Sequence, residues 1–201
     1  MSKENLRIFW AIIFSLLIFF ILILGKNIIS STKENDNQTP KISSEIPQDL
    51  NDECSIKIEE KIVRGSSMEP VLKEGQTVKI LFGYYNCHPV EREDIIVYDF
   101  KGNEAPIIKR VKGIEGDSFH LEKTEGGWLI LIHGEPIKNS KGEYYVIPER
   151  GYKMLSLYER DYKGKIPEGA YLILGEEAKG TLDSTYFGLV GKNDILGKVE
   201  Y

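Results

Sequence analysis

Short runs of alternating hydrophobic and polar residues recur from Ile56 to Tyr201. Alternation with a period of two is typical of β-strands that bury one face, and Gly, Pro, Asn and Asp mark the turns between such strands. Helical spacing is hard to find, and Tyr158 to Tyr162 is the best candidate for a helical turn. The pattern predicts a mostly β domain over residues 56–201 with no internal repeat. The strand-like runs are IKIEEKIV, QTVKILF, DIIVYDF, PIIKRVKGI, SFHLEK, WLILIHG, YYVI, AYLILG and ILGKVEY.

Two consecutive segments, GGWLILIHGEPI and KGEYYVIP, have the pattern of a β-hairpin. Glycine-containing turns separate their strand-like runs, as in other hairpins. The sequence leaves open whether this hairpin belongs to the main sheet or is a ribbon inserted beside it.

The first part of the chain has a different pattern. Residues 8–25, IFWAIIFSLLIFFILILG, carry no charge, and as a helix they would span roughly 27 Å, close to the ~30 Å hydrocarbon core of a bilayer. A cleaved signal peptide is the alternative, but its apolar region is usually about 7 to 15 residues long and is followed by an A-x-A-like site. Here only the weak SST of residues 30–32 follows, so the pattern favours a permanent transmembrane helix.

The flanks of this segment indicate its orientation. Residues 1–7 carry Lys3 and Arg7 against a single Glu, whereas the far flank mixes lysines with acidic residues. Positive charge is enriched on the cytoplasmic side, so the rule predicts a cytoplasmic N-terminus over residues 1–7 and a main domain outside the cytoplasm. Residues 26–55 are rich in Ser, Asn, Asp, Lys and Pro, which is typical of a flexible, solvated tether.

Composition narrows the function classes. The content of 41% hydrophobic and 28% charged residues suits a chain that buries a core, and the net charge of −5 gives no electrostatic reason to expect nucleic acid. Cys54 and Cys87 are compatible with one disulfide in an oxidising compartment or with two free thiols. His88, His120 and His133 lie too far apart for metal-ligand spacing, so neither metal nor another cofactor is predicted.

One turn stands out between the first two predicted strands. The stretch GSSMEPVL, Gly65 to Leu72, resembles the nucleophile box of type I signal peptidases, in which Ser directly precedes Met, any residue, Pro and an apolar pair. The resemblance implies that Ser67, rather than Ser66, is the nucleophile. A serine hydroxyl is a poor nucleophile until a base takes its proton, so this reading requires a base elsewhere in the chain.

A second stretch supplies that base. IIKRVKGIEGD, from Ile107 to Asp117, resembles the lysine box K-R-V-x-G-x-P-G-D of the same family, which implies Lys109 as general base. A lysine of ordinary pKa, ~10.4, is protonated at neutral pH, but burial lowers the pKa by as much as 3 to 5 units. The apolar residues before Lys109 provide such burial, and Arg110 would act in the same direction if it is close. Ser-Lys pairs are a known variant of the Ser-His-Asp triad.

The third stretch, GEEAKGTLDSTYFG, resembles the last family box, G-D-N-x-x-x-S-x-D-S-R-x-[FY]-G. Thr181 stands at the Ser position that orients the lysine, and it keeps a hydroxyl. Asp183 and Ser184 are retained and are expected to give structural support. Thr185 replaces the Arg that would pair with Asp183, so residue 185 cannot form this salt bridge. A basic residue elsewhere is an alternative partner, such as Lys179 or Lys192.

The resemblance runs from about Ile62 to Tyr201, with the three boxes in the family's order. It implies a signal-peptidase-like β domain with coiled sheets, which acts as a membrane-anchored serine endopeptidase and removes signal peptides from secreted preproteins. The implied location is the cytoplasmic membrane, crossed once, with the catalytic domain on the outer face. The implied partners are preprotein signal peptides and the lipid bilayer.

The resemblance also suggests where the substrate binds. The oxyanion would be held by the backbone N–H of Ser67 and a nearby donor, and Gly65 stands where many members have a contributing Ser side chain. An extended peptide would add to an exposed strand edge. Ile62, Val63, Leu72 and the YYNC segment are candidates for the pocket or for a membrane-facing surface, and each is equally compatible with ordinary core.

Three other functions remain open. The chain could be a Ser-Lys peptidase specialised for conjugation or pilus maturation, because the sequence does not identify its pocket residues. A relative of self-cleaving repressors would have a DNA-binding N-terminus, which the apolar segment argues against. A catalytically inactive, membrane-anchored β scaffold is suggested by the exchange at Thr185.

Overall fold

The structure, a computed structural model, describes residues 55–101, 105–178 and 180–201. The predicted transmembrane segment, residues 8–25, lies outside these ranges, as does the predicted tether apart from its last residue. Within the described ranges, no helix is long and apolar enough to cross a membrane.

The described part of the chain consists mainly of antiparallel β-strands, which confirms the prediction of a mostly β domain. The strands match the alternating runs of the sequence closely. In chain order they are β1 (Lys57–Ile62), β2 (Thr77–Phe82), β3 (Ile95–Tyr98), β4 (Ile107–Gly113), β5 (Phe119–Thr124), β6 (Gly127–Ile132), β7 (Glu135–Pro136), β8 (Val146–Ile147), β9 (Ala170–Leu174), β10 (Val190–Gly191) and β11 (Ile195–Glu200).

The larger sheet has seven strands in the order β1-β2-β11-β3-β4-β9-β10. The strand that comes last in the sequence, β11, therefore lies in the interior of the sheet, where it pairs with β2 on one side and with β3 on the other. Along β3, Ile95 and Val97 belong to one buried cluster while Ile96 belongs to another. Because successive side chains of a strand point to opposite faces, the sheet buries both of its faces here.

The smaller sheet has four strands, β5 to β8, with β6 paired to each of the other three. The predicted hairpin is confirmed, and it belongs to this separate sheet rather than to the larger one. A core cluster joins the two parts, since Ile130 and Ile147 of the smaller sheet pack with Leu172 and Leu174 of β9.

In the described ranges two α-helices accompany the sheets, α1 (Glu149–Asp161) and α2 (Ser184–Phe187). The prediction of a single helical turn at Tyr158 to Tyr162 was wrong in extent, because α1 has 13 residues and begins much earlier. Its start is hidden in the sequence: Pro148 at the N-cap makes no side-chain capping bond, and a glycine follows in the first turn. That glycine, Gly151, lets the helix pack closely, since a Cβ there would lie 3.2 Å from Ile147 and 3.3 Å from Thr185.

Short 3₁₀ turns occur at Tyr84–Asn86 and Lys192–Asp194. The first contains part of the YYNC segment. Tyr85 is buried in a core cluster there, and its hydroxyl donates a hydrogen bond of 2.9 Å to Asp94. Cys87 is disulfide-bonded, and the only other cysteine of the sequence, Cys54, lies outside the described residues.

Candidate active site

The turn that carries Ser67 is anchored in the core by its apolar residues. Met68 is 2% exposed and Leu72 is wholly buried in the same cluster, and the Leu72 N–H donates to the Met68 carbonyl at 2.9 Å. Ser67 itself is half-buried, and its carbonyl accepts a hydrogen bond of 2.8 Å from the N–H of Glu176. The backbone of Ser67 is therefore held in place while its hydroxyl stays accessible. Leu72, a candidate pocket residue, is ordinary core.

The structure brings Ser67 and Lys109 together. Lys109 lies on β4 opposite Ile96 of β3, and its Nζ is 2.8 Å from Ser67 Oγ, across 42 residues of sequence. The same Nζ donates to the carbonyl of Ile108 at 2.8 Å. These two bonds direct the amine at the serine hydroxyl.

The surroundings of Lys109 favour the neutral amine. Its side chain is 3% exposed, and within the described ranges it forms no ion pair. Burial lowers the pKa of Lys109 from 10.5 to about 8, while the charge of Asp183 acts in the opposite direction. Burial is thus the main cause, as the apolar residues before Lys109 predicted.

Arg110 does not add to the lowering of the Lys109 pKa, which it would do if its charge lay close to the amine. It follows Lys109 on β4 and so points to the opposite face. There its Nε lies 2.6 Å from Glu176 Oε1, and its Nη1 lies 3.6 Å from Glu93 Oε2. Two carboxylates therefore compensate the charge of Arg110. Burial alone lowers the pKa of Lys109, and the charge of Asp183 opposes it.

Asp183 is completely buried, and hydrogen bonds take the place of the salt bridge that the family pattern implies. Its Oδ2 accepts from Gly175 N, Thr181 N and Thr181 Oγ1, and its Oδ1 accepts from the N–H and hydroxyl of Thr185. No ion pair to Asp183 exists within the part of the chain that the structure describes. Thr185, which replaces the Arg, is thus itself a donor to the carboxylate. Lys192 is exposed and forms no bond to it, and Lys179 lies outside the described residues.

Thr181 and Ser184 support the site through the backbone and Asp183. The Thr181 hydroxyl donates to Asp183 Oδ2 at 2.8 Å, and no hydrogen bond joins it to Lys109 among the residues the structure describes. The expected direct contact is therefore replaced by an electrostatic link through Asp183. Ser184 is fully buried, and its hydroxyl accepts a bond of 2.9 Å from the N–H of Ile173, which fixes α2 to β9.

An apolar cavity of about 640 Å³ adjoins the Ser67 hydroxyl and Lys109. The predicted residues Ile62 and Val63 line it, whereas Leu72 and the YYNC segment do not. Ser66 instead lines a different depression, of about 570 Å³. The two adjacent serines therefore face different spaces, and only Ser67 shares one with the lysine. Further apolar lining comes from Met68, Ile80, Phe82, Val97, Ile107 and Ile108.

Unpaired backbone groups lie beside this cavity. Ile107 to Lys109 pair with β3, but β9 pairs with β4 only from Arg110 onward. One edge of this part of β4 is thus open. The backbone N–H of Ser67 has no acceptor within the described ranges. Gly65, two residues earlier, has a φ of 77° and open space at its Cβ position.

Comparison with known proteins identifies the family. The family model described as signal peptidase, peptidase S26, matches residues 54–201. The chain belongs to the S26 signal peptidase family. It is therefore a serine peptidase, a hydrolase of peptide bonds.

The chain is also similar to individual proteins. This S26 peptidase is 28% identical to signal peptidase IB of Staphylococcus aureus strain COL over 149 residues, covering 69% of this chain and 74% of that protein. It is 30% identical to signal peptidase I of Bacillus caldolyticus over 148 residues, covering 70% and 76% respectively. A crystal structure of a signal peptidase I from Enterococcus faecalis V583 is 24% identical, with a TM-score of 0.40, covering 56% of this chain and 98% of that one.

Glu176 also belongs to this site, although the sequence did not predict it. Glu176 is 1% exposed; its backbone N–H bonds the Ser67 carbonyl and its carboxylate pairs with Arg110. An acidic residue directly after Gly175 was the available signal, because the third box has Asp at that position. In the described part of the S26 peptidase, no three His, Cys, Asp or Glu side chains converge to hold a metal ion.

Proposed function

We propose that this S26 peptidase is a membrane-anchored endopeptidase that removes signal peptides from secreted preproteins, with Ser67 as nucleophile and Lys109 as general base. The observation that carries the proposal is the 2.8 Å contact between Lys109 Nζ and Ser67 Oγ. The substrate class is supported by the relatives, which are named signal peptidase IB and signal peptidase I.

The protonation state of Lys109 suits this role. With a pKa of about 8, roughly one lysine in ten is neutral at pH 7 and half are neutral at pH 8. A solvated lysine would be almost entirely protonated at either pH. A general base works best when its pKa lies near the working pH, and burial brings Lys109 into that range.

The chemical steps follow from the geometry. Ser67 Oγ attacks the carbonyl carbon of the scissile peptide bond while its proton passes to the neutral Nζ of Lys109. The resulting ammonium donates that proton to the leaving amine, which departs and leaves an ester on Ser67. Lys109 then takes a proton from water, whose oxygen attacks the ester carbonyl. As the bond between the acyl group and Ser67 Oγ breaks, Lys109 returns that proton to Oγ, and the carboxylic acid product leaves.

The oxyanion that forms in both steps needs hydrogen-bond donors. The backbone N–H of Ser67, which has no acceptor among the described residues, is a suitable donor for this role. Gly65 offers no side-chain donor, and its positive φ of 77° strains any replacement by an L-residue. The oxyanion hole of this enzyme accordingly relies on backbone groups.

The substrate lies in the apolar cavity as an extended strand in this proposal. The open edge of Ile107 to Lys109 supplies backbone partners, and alternate side chains of the peptide enter the cavity. Ile62 and Val63 form part of its wall. The family resemblance implies small residues at the first and third positions before the scissile bond.

Residues 8–25 anchor the enzyme in this proposal, with the N-terminus in the cytoplasm and the catalytic domain on the outer face of the cytoplasmic membrane. Residues 26–55 act as the tether between the bilayer and the domain. A signal peptide is itself held in the bilayer as its preprotein emerges, so anchoring the enzyme there confines both reactants to one surface.

The test is cleavage of a preprotein by the full chain in liposomes. Ser67→Ala and Lys109→Ala should each lower kcat/KM by about a thousandfold or more, because the two residues act as a unit. Ser66→Ala is the matched control and should stay within about twofold, since Ser66 faces the other depression.

Each alternative has its own outcome in this assay. Activity that survives both substitutions would contradict the Ser-Lys pair, and loss of activity in Ser66→Ala alone would identify the other serine as nucleophile. A wild-type enzyme that cleaves only conjugation or pilus precursors would support the specialised peptidase. A wild-type chain that cleaves neither class would support the inactive scaffold.

A further inference from the structure

A segment of the smaller sheet region reaches the end of β9. The segment between β7 and β8 donates three hydrogen bonds to Gly175 and Glu176, the two residues that follow β9. The Tyr145 hydroxyl donates to the Gly175 carbonyl at 2.7 Å, Asn139 Nδ2 donates to the Glu176 carbonyl at 2.8 Å, and the Ser140 N–H donates to Glu176 Oε2 at 2.8 Å.

Gly175 and Glu176 in turn hold the Ser67 turn. The N–H of Glu176 donates to the Ser67 carbonyl, and the packing is so close that a Cβ on Gly175 would lie 2.8 Å from that same oxygen. The carboxylate of Glu176 is also fixed, through its ion pair with Arg110. Movement of Gly175 and Glu176 would therefore be transmitted to the backbone of Ser67.

These contacts are shielded from solvent. Tyr145 and Glu176 are each 1% exposed and Asn139 is 6% exposed. Water cannot readily replace a lost donor at such positions, so an unpaired Gly175 or Glu176 carbonyl would drive local rearrangement. Asn139 is itself held rigidly, because its Oδ1 accepts from the backbone N–H groups of Lys141 and Glu143.

We propose that Tyr145 and Asn139 are positioning residues for the nucleophile, which hold the Ser67 turn in register with Lys109 through Gly175 and Glu176. The inference rests on the proposed role of Ser67. Neither residue lines the cavity beside Ser67, so they act on the reaction through the backbone and not by touching substrate. Small displacements of a nucleophile reduce kcat strongly, whereas substrate binding in the cavity is unaffected.

The test compares Tyr145→Phe with Tyr144→Phe in the full-length enzyme. Tyr145→Phe removes only the buried hydroxyl. Tyr144 is the adjacent residue, is 47% exposed, and its hydroxyl makes no hydrogen bond within the described ranges. We expect Tyr145→Phe to lower kcat on a signal-peptide substrate by about tenfold with KM within about twofold, and Tyr144→Phe to change neither.

Rates are to be expressed per active site, titrated with a serine-acylating probe, so that partial unfolding does not imitate the effect. The midpoint of the pH–rate profile should stay at the wild-type value, because the burial of Lys109 is unchanged. An unchanged kcat per site would overturn the proposal. A shifted midpoint would also overturn it, since the substitution would then act through Lys109 and not through the Ser67 turn.

A second variant tests the shared route. Asn139→Asp keeps the size and an acceptor oxygen of the side chain, but it replaces the Nδ2 donor to the Glu176 carbonyl and to Glu143 Oε2 with a charged oxygen that cannot donate. Because both residues act through the same two backbone units, the losses in kcat should be less than additive in the double variant. Fully additive losses would mean two independent effects and would contradict the common route.

The rate at which the acylating probe labels Ser67 separates this inference from the proposed function. If the wild-type enzyme cleaves signal peptides, and Ser67 is labelled equally fast in the wild type and in Tyr145→Phe, the positioning role alone fails. If no signal peptide is cleaved but Ser67 is labelled more slowly in Tyr145→Phe, the substrate assignment fails and the positioning role stands. A wild-type Ser67 that resists labelling would overturn both.

Discussion

Lys109 and Arg110 are neighbours on one strand, both are cationic residues, and both are buried, at 3% and 8% exposure. Their surroundings nevertheless differ completely. Arg110 faces the carboxylates of Glu176 and Glu93, and these charges raise its pKa despite burial. Lys109 faces a serine hydroxyl and a carbonyl, and burial lowers its pKa to about 8.

The difference shows how one strand supports two functions. A buried charge that is paired and hydrogen-bonded contributes to a fixed structure, whereas a buried amine that forms no ion pair is less stable when protonated and so becomes a base. Since successive side chains point to opposite faces, the protein can keep the two environments separate within one residue of sequence. The residue type alone does not decide which role a cation takes.

The largest expected effect is the loss of stability when the ion pair of Arg110 with Glu176 is removed. Glu176→Ala removes the 2.6 Å ion pair of the buried Arg110 and leaves the more distant, half-exposed carboxylate of Glu93, and it also removes the acceptor of the Ser140 N–H. We expect the free energy of unfolding to fall by about 3–5 kcal/mol, as when one partner of a buried ion pair is removed. Urea denaturation measures this directly.

Glu177→Ala is the control for this comparison. Glu177 is the next residue and is exposed, so its removal should change the free energy of unfolding by less than about 0.5 kcal/mol. Equal effects of the two substitutions would show that the ion pair of Arg110 with Glu176 contributes no more to the free energy of unfolding than an exposed side chain does.

The unpaired side should respond in the opposite direction. Lys109→Met replaces an amine that burial disfavours in its charged form, and we expect the free energy of unfolding at pH 7 to rise by about 3 kcal/mol. The folded pKa is below the unfolded pKa of 10.5. Between about pH 8 and 10.5 the unfolded chain therefore binds more protons, and wild-type stability rises with pH.

The gain in free energy of unfolding from Lys109→Met should accordingly shrink between about pH 8 and 10.5 and be nearly absent above that range. Lys112→Met is the matched control, because Lys112 is 7% exposed on the same strand but forms a 2.7 Å ion pair with Glu93. It should not stabilise the protein. A Lys109→Met variant that is less stable than wild type at pH 7 would contradict the unpaired character of this side.

The smallest effect concerns activity against pH. Below about pH 8, kcat/KM should rise about tenfold per unit, equivalent to about 1.4 kcal/mol, as Lys109 loses its proton, and it should level off above that pH. A peptide substrate without titratable side chains isolates the enzyme's own ionisation. A rate that is flat between pH 6 and 8 would be incompatible with Lys109 as the base.

Much of the fold could be predicted from the sequence because strands and their turns are local features. The alternating runs IKIEEKIV and QTVKILF correspond to β1 and β2, which pair over their full length. Helix α1 was underestimated because it has no capping side chain and has a glycine in its first turn. Its stability comes from packing against the smaller sheet, which no local pattern reports.

The residues of the site also fall into two groups, those that a short sequence pattern predicts and those whose contacts are with distant segments. Ser67 and Lys109 stand in boxes whose residue types are demanded by the chemistry, so short patterns point to them. The partners of Asp183 could not be foreseen, since a carboxylate can be satisfied equally by an arginine or by hydroxyl and backbone donors. The fixed position of Glu176 depends on Asn139 and Tyr145, which approach only after the smaller sheet has formed.

The position of β11 has a consequence for the order of events during biosynthesis. Ser67 follows β1 on one side of this strand and Lys109 lies on β4 on the other, so β11 joins the two halves of the larger sheet. Because a domain is made from its N-terminus onward, the two halves can be joined only once residues 195–200 have emerged. Such pairing of distant segments is slow, and a nascent chain would lack an assembled Ser67–Lys109 site until residues 195–200 have emerged and paired with β2 and β3.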